Sequence, residues 1–239
     1  METYLLLFLV SLCPVVLSAL IYLAERTNAA RKIPYIARQV LIGIMFGALA
    51  IMGTEFGVKI DGAVINARDA SPICAGLLFG APAGIIAGVI GGVERWLAVF
   101  WGAGEYTRLA CSISTILAGV FAAVLRKYMF DNKKPKWNYC LATAIITEVV
   151  HMLMIFLTNM SDVHTAFSFV RACSLPMVAI NGLSVMLAGA LLSLLSEKER
   201  KSSRHNLKNI SQSFQRWLLM CVTAGFLMTT VFTWALQTE

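Results

Sequence analysis

Residues 66–118 read NARDASPICAGLLFGAPAGIIAGVIGGVERWLAVFWGAGEYTRLACSISTILA, and this stretch is the most informative part of the sequence. It is apolar enough to enter a membrane, yet charged side chains interrupt it. A charge inside a bilayer costs free energy and needs a partner, so such residues commonly mark binding sites. The charged residues of the stretch are Arg68, Asp69, Glu94, Arg95, Glu105 and Arg108.

Glycines recur at every fourth position of this stretch, which predicts a helix with one smooth face. A face without side chains lets another backbone approach closely. The sequence Gly80-Ala81-Pro82 should break the helix, because proline lacks a backbone donor and disfavours helix in the preceding residue. We therefore expect a glycine-rich helix that is broken or re-entrant. Its packing glycines are Gly76, Gly80, Gly84, Gly88 and Gly92.

The composition is that of an integral membrane protein. Of the 239 residues, 58% are hydrophobic and 14% are charged, and the mean hydropathy is +0.73. Soluble domains have about 45–50% apolar and about 25% charged residues. Since a helical span needs about 20 residues, we expect an all-α, polytopic membrane protein with six to seven transmembrane helices. That length leaves no room for a separate catalytic domain, so we expect no enzyme within these residues.

The net charge of +7 reflects membrane topology rather than nucleic-acid binding. Most lysines and arginines fall in three clusters between apolar runs. Short basic loops of this kind are typical of the cytoplasmic side of a membrane protein, and they also favour contact with anionic lipids. The expected location is the bacterial plasma membrane, crossed several times. The clusters cover residues 26–38, 126–136 and 198–216.

If every apolar run crosses the membrane, the basic clusters cannot all be cytoplasmic. The conflict disappears if one run enters the membrane and turns back. Three full crossings after residue 38 would place the cluster at 126–136 outside the cell. A hairpin over 70–101 that enters and returns near Gly80 would place it inside. We favour the hairpin, and a violation of the charge rule is the alternative. The expected spans are 3–23, with the N-terminus outside, then 39–54, 107–125, 138–158, 173–195 and 214–236.

Several polar residues are candidates for one ligand-binding cavity. Glu148 and His151 are three residues apart and share a helix face. They could line a ligand pocket, form a structural pair with an arginine, or hold a metal. We predict no metal, because the sequence has a single Glu-x-x-His pair. Arg95, Arg68 and Asn66 are either interfacial residues or contacts for an anionic ligand, and Arg95 could also neutralise Glu148.

The sequence contains no motif for catalysis or for a cofactor. A P-loop, H-E-x-x-H, G-x-S-x-G and paired-cysteine zinc sites are all missing from it. The six cysteines fall in apolar runs without a C-x-x-C pair, so they are interpreted as small core residues. We expect no cofactor.

The chain resembles the five-transmembrane receptor domain of LytS-YhcK type over residues 25–197. The resemblance rests on Asn66-x-Arg68, the run LLFGAPAGIIAGVIGGVER at 77–95, and the span that contains Glu148. It also includes glycines at 102 and 104, ILAG at 116–119 and LPM…N ending at Asn181. It implies a membrane sensor of histidine kinases, diguanylate cyclases or phosphatases, with a link to cell-wall control, and it adds Asn181 to the candidate ligand-binding residues.

The resemblance and the spans together give an expected organisation. Residues 1–24 would form a first transmembrane helix, 25–197 the receptor domain, 198–213 a basic cytoplasmic linker and 214–239 an additional transmembrane helix. The expected partners are the lipid bilayer, an unknown small ligand, a second copy of the chain in a homodimer, and an output module in a longer protein. The alternative function is a membrane subunit that binds the substrate of a transporter.

Overall fold

The fold is a set of helices with one small strand pair. The computed structural model describes residues 2–27, 32–60 and 63–196. Strands β1 (Val58–Ile60) and β2 (Ala63–Ile65) are antiparallel. The described helices are α1 (Glu2–Ala24), α2 (Tyr35–Glu55), α3 (Ala70–Cys74, continued by a π-helical turn at Ala75–Phe79), α4 (Ala81–Leu97, followed by a 3₁₀ turn at Ala98–Trp101), α5 (Arg108–Tyr128), α6 (Trp137–Thr158) and α7 (Val163–Leu195).

All the described helices except α3 are long and apolar enough to cross a membrane. The expected all-α, polytopic membrane fold is thereby confirmed. Their outer faces carry large exposed apolar side chains, such as Leu5, Phe8 and Leu20 of α1. In water such faces would be unfavourable, whereas in a bilayer they contact lipid.

The short helix α3 ends at Gly80, and α4 starts directly after it with Pro82 in its first turn. Gln39 of α2 bridges the break. Its Nε2 donates a hydrogen bond to the carbonyl of Phe79 over 3.1 Å, and its Oε1 accepts one from the amide of Ala83 over 3.4 Å. One buried side chain therefore satisfies the end of α3 and the start of α4, groups that would otherwise lack partners.

The glycine face of α4 lies against backbone on two sides. A Cβ added to Gly84 would lie 2.5 Å from the Cα of Gly76, so α3 and α4 run back along each other from the break at Gly80. A Cβ on Gly88 would lie 3.0 Å from the carbonyl oxygen of Thr115 in α5. At both glycines a side chain would displace a neighbouring backbone.

The basic segments within the described residues gather at one end of the helices. Arg26 donates a hydrogen bond to the carbonyl of Leu195 over 2.7 Å, and the ammonium of Lys134 lies 4.3 Å from the ring centroid of Tyr22 and 5.7 Å from that of Phe79. The break at Gly80 is thus at the basic end. This arrangement agrees with a hairpin over 70–101, although its re-entrant placement in a membrane stays a prediction.

The opposite end carries the strand pair and the remaining connections. Lys59 donates a hydrogen bond to the carbonyl of Gly102 over 3.0 Å, and the Tyr106 hydroxyl donates one to the carbonyl of Asp162 over 2.9 Å. The loop expected at 159–172 is shorter than predicted, because α7 already begins at Val163. The Asp162 carboxylate explains this start, since it accepts a hydrogen bond from the Thr165 amide.

The two strands lie between the expected span at 39–54 and the expected hairpin at 70–101, where the sequence predicted no regular element. The proposed linker at 198–213 and the helix at 214–239 lie outside the described residues.

Candidate functional site

The segment between β2 and α3 carries the site and is held by asparagines. Asn181 of α7 accepts a hydrogen bond from the amide of Ala70 over 2.9 Å and donates one to the carbonyl of Asn66 over 3.1 Å. The Asn66 side chain accepts a hydrogen bond from the amide of Arg68 over 3.2 Å. This backbone is neither helix nor sheet, so the side chain of Asn181 supplies partners that regular structure would have provided.

Arg68 is buried, with 1% of its surface exposed. Its Nε donates to the Thr115 hydroxyl over 2.6 Å, and its Nη1 lies 3.4 Å from the Thr54 hydroxyl. The carboxylate of Asp69 is 3.5 Å from Nε. Nη2 is buried and has no hydrogen-bond partner among the described residues.

Asp69, at the start of α3, contacts two other helices through its carboxylate. Oδ1 accepts a hydrogen bond from Thr115 of α5 over 2.7 Å, and Oδ2 lies 2.6 Å from Nδ1 of His151 in α6. The other ring nitrogen, Nε2, lies 3.3 Å from the sulfur of Cys111 in α5. A carboxylate at Nδ1 holds a proton there, which leaves Nε2 directed at the thiol.

Glu148 is fully buried beside this cluster, and its two carboxylate oxygens have no hydrogen-bond partner among the described residues. Nδ1 of His151 lies 3.9 Å from Oε2 of Glu148. Asp69, Glu148 and His151 come together closely enough to be considered for a metal. However, Asp69 and His151 already bond to each other and Arg68 adds positive charge, so we assign no metal to them.

Arg95 is held at the end of α4, away from Glu148. Its Nη2 donates to the carbonyl of Gly104 over 2.7 Å and lies 3.2 Å from the Thr107 hydroxyl. Nη1 has no hydrogen-bond partner within the described chain. The suggested pairing of Arg95 with Glu148 is therefore not found in the structure, where Arg95 bonds to Gly104 and Glu148 lies near His151.

A cavity of about 110 Å³ lies between the strand pair and the connection from α4 to α5. Both guanidinium groups reach it. Three of the predicted site residues line this cavity, while His151 is reached through Cys111 and Asn181 holds the backbone behind it. The lining residues are Thr54, Glu55, Gly57, Lys59, Val64, Asn66, Arg68, Arg95, Trp101, Gly102, Ala103, Thr107 and Cys111.

Sequence reasoning missed Asp69, Cys111 and Thr115 as parts of the site. Asp69 was visible as a charge in an apolar stretch, which is a usable signal. Cys111 and Thr115 are four residues apart and so share a face of α5, but nothing in the sequence tells that this face meets His151.

The fold and the cavity define a class of protein, a helical membrane domain with a buried polar site beside a broken helix. The chain belongs to the 5TM-5TMR_LYT family, the 5TMR of 5TMR-LYT, which it matches over residues 21–195. It is accordingly a membrane sensor domain of the bacterial plasma membrane, homologous to those of sensor histidine kinases.

Curated relatives include sensor kinases from two bacteria. The chain is 31% identical over 142 residues to the sensor histidine kinase BtsS of Escherichia coli, covering 58% of this chain and 24% of that protein. It is 30% identical over 164 residues to the sensor protein LytS of Bacillus cereus, covering 66% of this chain and 26% of that protein. The chain thus matches about a quarter of these relatives' length. No solved structure matches it significantly.

Proposed function

We propose that this domain is a receptor for a small anionic ligand that binds in the cavity between Arg68 and Arg95. One observation carries the proposal. Both guanidinium groups are buried, each has a nitrogen without a hydrogen-bond partner within the described residues, and both line the same cavity. A buried cation without a partner is costly, and carboxylate or phosphate oxygens match the guanidinium geometry.

The charge and size of the cavity support a small anion. Besides the thiol of Cys111, its ionisable lining consists of three cations, Lys59, Arg68 and Arg95, and one carboxylate, Glu55. Glu55 already accepts a hydrogen bond from Trp101 over 2.7 Å. Because a single water needs about 10–15 Å³ of such space, a cavity of about 110 Å³ admits a ligand of a few non-hydrogen atoms.

The site is connected to the helices that a signal has to move. Arg68 is bonded to Thr115 in α5, its neighbour Asp69 is bonded to His151 in α6, and Asn181 in α7 holds the same segment. An anion that pulls Arg68 into the cavity would favour one arrangement of these three helices. A ligand shifts such an equilibrium only by its difference in affinity for the two arrangements.

The proposal also covers the output domain and the partners of this sensor domain. The relatives are named as a sensor histidine kinase and a sensor protein, and each is about four times longer than the matched region. We therefore place a histidine-kinase output in a longer protein and a homodimer in the membrane. No enzyme activity is assigned to the residues of this chain. The relatives favour a receptor over the transporter alternative, and the link to cell-wall control stays a prediction.

Thermal unfolding of the purified chain in detergent tests ligand binding. Acetate, succinate and inorganic phosphate are added at constant ionic strength, with choline chloride as the cationic control. A ligand that binds only the folded state stabilises it by about 2.7 kcal/mol at 100 times its Kd. We expect at least one anion to raise the midpoint and choline to leave it unchanged.

Two matched variants show where the anion acts. Arg95→Met should abolish the rise in midpoint, because it removes one of the two cations. Arg171→Met removes an exposed arginine from α7 and should leave the rise intact. A rise that survives in Arg95→Met, or no rise with any anion, would refute the proposed site.

A further inference from the structure

We propose that Cys111 is a reactive thiol in the cavity, one that peroxide oxidises to a sulfenic acid. The sulfur lies 3.3 Å from Nε2 of His151, and Nδ1 of the same ring lies 2.6 Å from Asp69. Thiol, imidazole and carboxylate thus stand in the order in which a nucleophile, its base and an orienting acid act in cysteine-dependent sites. This inference is independent of the anion proposed above.

The other described cysteines lack this arrangement. Cys13 and Cys140 donate hydrogen bonds to the backbone carbonyls of Leu9 and Pro135. Cys173 faces the sulfur of Met152. Within the described ranges, Cys111 is the cysteine with an imidazole partner, which makes its environment chemically distinct.

Cationic side chains surround the cavity in which Cys111 lies. Arg68 and Arg95 line the same cavity as Cys111, and an imidazolium formed at His151 by proton transfer would add a third positive charge. Two buried acids near these groups lack hydrogen-bond partners among the described residues: Glu94, next to Arg95 in α4, and Glu148, on the far side of the imidazole from Cys111. Neighbouring positive charge is the feature that distinguishes reactive cysteines from structural ones.

A small oxidant can reach the sulfur. Cys111 is a lining residue of the cavity, together with Gly102 and Ala103 of the connection between α4 and α5. Hydrogen peroxide is scarcely larger than water, so a cavity of about 110 Å³ admits it easily. Access and activation are therefore present at the same atom.

The step is a two-electron oxidation with hydrogen peroxide as the oxidant. His151 takes the thiol proton at Nε2, and the thiolate sulfur attacks one peroxide oxygen. The S–O bond forms as the O–O bond breaks, so sulfur is oxidised and peroxide is reduced. The departing hydroxide takes the proton back from the imidazolium and leaves as water, and the product is a sulfenic acid that thiols can reduce again.

The first experiment measures the alkylation rate of every cysteine in the purified chain by iodoacetamide and peptide mass spectrometry. We expect Cys111 to react at least tenfold faster than Cys74, Cys140 and Cys173, which are also buried. A rate for Cys111 equal to theirs would overturn the proposal. This comparison uses the natural sequence and depends on no variant.

The second experiment uses His151→Gln to remove the base. We expect the rate at Cys111 to fall at least tenfold while the rate at the partly exposed Cys13 stays the same. If all buried cysteines instead react faster, the variant has unfolded, and the comparison in the natural chain alone decides. An unchanged, still rapid rate at Cys111 in a folded variant would show that His151 does not activate it.

The third experiment traps the oxidised product. The natural chain is treated with hydrogen peroxide and dimedone, which reacts with sulfenic acids, and the adducts are mapped. We expect the adduct at Cys111 and its loss in Cys111→Ser. Dimedone at other cysteines but not at Cys111 would overturn the oxidation step.

Discussion

Asp69 and His151, 82 residues apart in the sequence, are joined by a contact of 2.6 Å between Oδ2 and Nδ1. Both side chains are buried, so water cannot replace either partner. This contact attaches the start of α3 to the middle of α6. It makes the segment before α3 part of the helical core rather than a surface loop.

The first prediction is that Asp69 and His151 are energetically coupled. Asp69→Asn and His151→Gln should each lower the free energy of unfolding by about 3–5 kcal/mol, because each leaves a buried polar partner uncompensated. The double variant should lose less than both together, with a coupling of about 1–3 kcal/mol. Denaturant titration in detergent measures the free energy of unfolding of each variant. His151→Gln combined with the exposed Glu105→Gln is the additive control, and additivity in the Asp69 cycle would contradict the coupling.

The second prediction is that Glu148→Gln is tolerated far better than Asp69→Asn. The Glu148 carboxylate has no hydrogen-bond partner among the described residues, so replacing it by an amide removes a charge without breaking a bond. We expect a change within about 1 kcal/mol, or a gain. Adding Arg95→Met should be additive, because Arg95 bonds to Gly104 and Thr107 instead. A strong coupling between the Glu148 and Arg95 variants would mean that the two side chains contact each other, which would contradict this prediction.

The third prediction concerns the close approach of α3 and α4. Gly84→Ala should lower stability by about 1–3 kcal/mol, because the new methyl group would meet the Cα of Gly76 at 2.5 Å. Val93→Leu on the exposed side of the same helix is the control and should be near neutral. Thermal unfolding in detergent compares the two, and equal midpoints would contradict the packing.

The fourth prediction concerns the sides of the membrane. A membrane-impermeant maleimide added to intact cells should label Glu105→Cys and not Lys133→Cys, because these exposed positions lie at opposite ends of the helices. The natural chain is the control, since its described cysteines are buried or only partly exposed. Labelling of Lys133→Cys from outside would contradict both the charge rule and the hairpin over 70–101.

The helices could be predicted from the sequence because their signal is local. Apolar runs of about 20 residues identify a span by themselves, and the proline after Gly80 predicts the break. The strand pair was missed, although valine and isoleucine flank Asp61-Gly62 in the alternation typical of a hairpin. That signal is short, and the apolar runs on both sides obscured it.

The site was predictable only in part, since its contacts join distant segments. Arg68, Arg95 and Glu148 could be singled out because each is a costly charge in an apolar context. The partner of each charge could not be read from spacing. Gln39 shows the same limit, because the bonds it makes to Phe79 and Ala83 depend on how α2 meets the break.

Helix α7, which contains Pro176, is longer than the membrane interior. Its 33 residues give a length of about 50 Å, against about 30 Å of hydrocarbon. Tilts beyond about 40° are not usual, so at least one end stands among the lipid headgroups. Asn181 lies near the middle of α7 and bonds to the segment before α3. A tilt of about 5° about Asn181 would displace Leu195, about 21 Å along the helix, by roughly 2 Å, so a change at the cavity would be carried to the basic end of the domain.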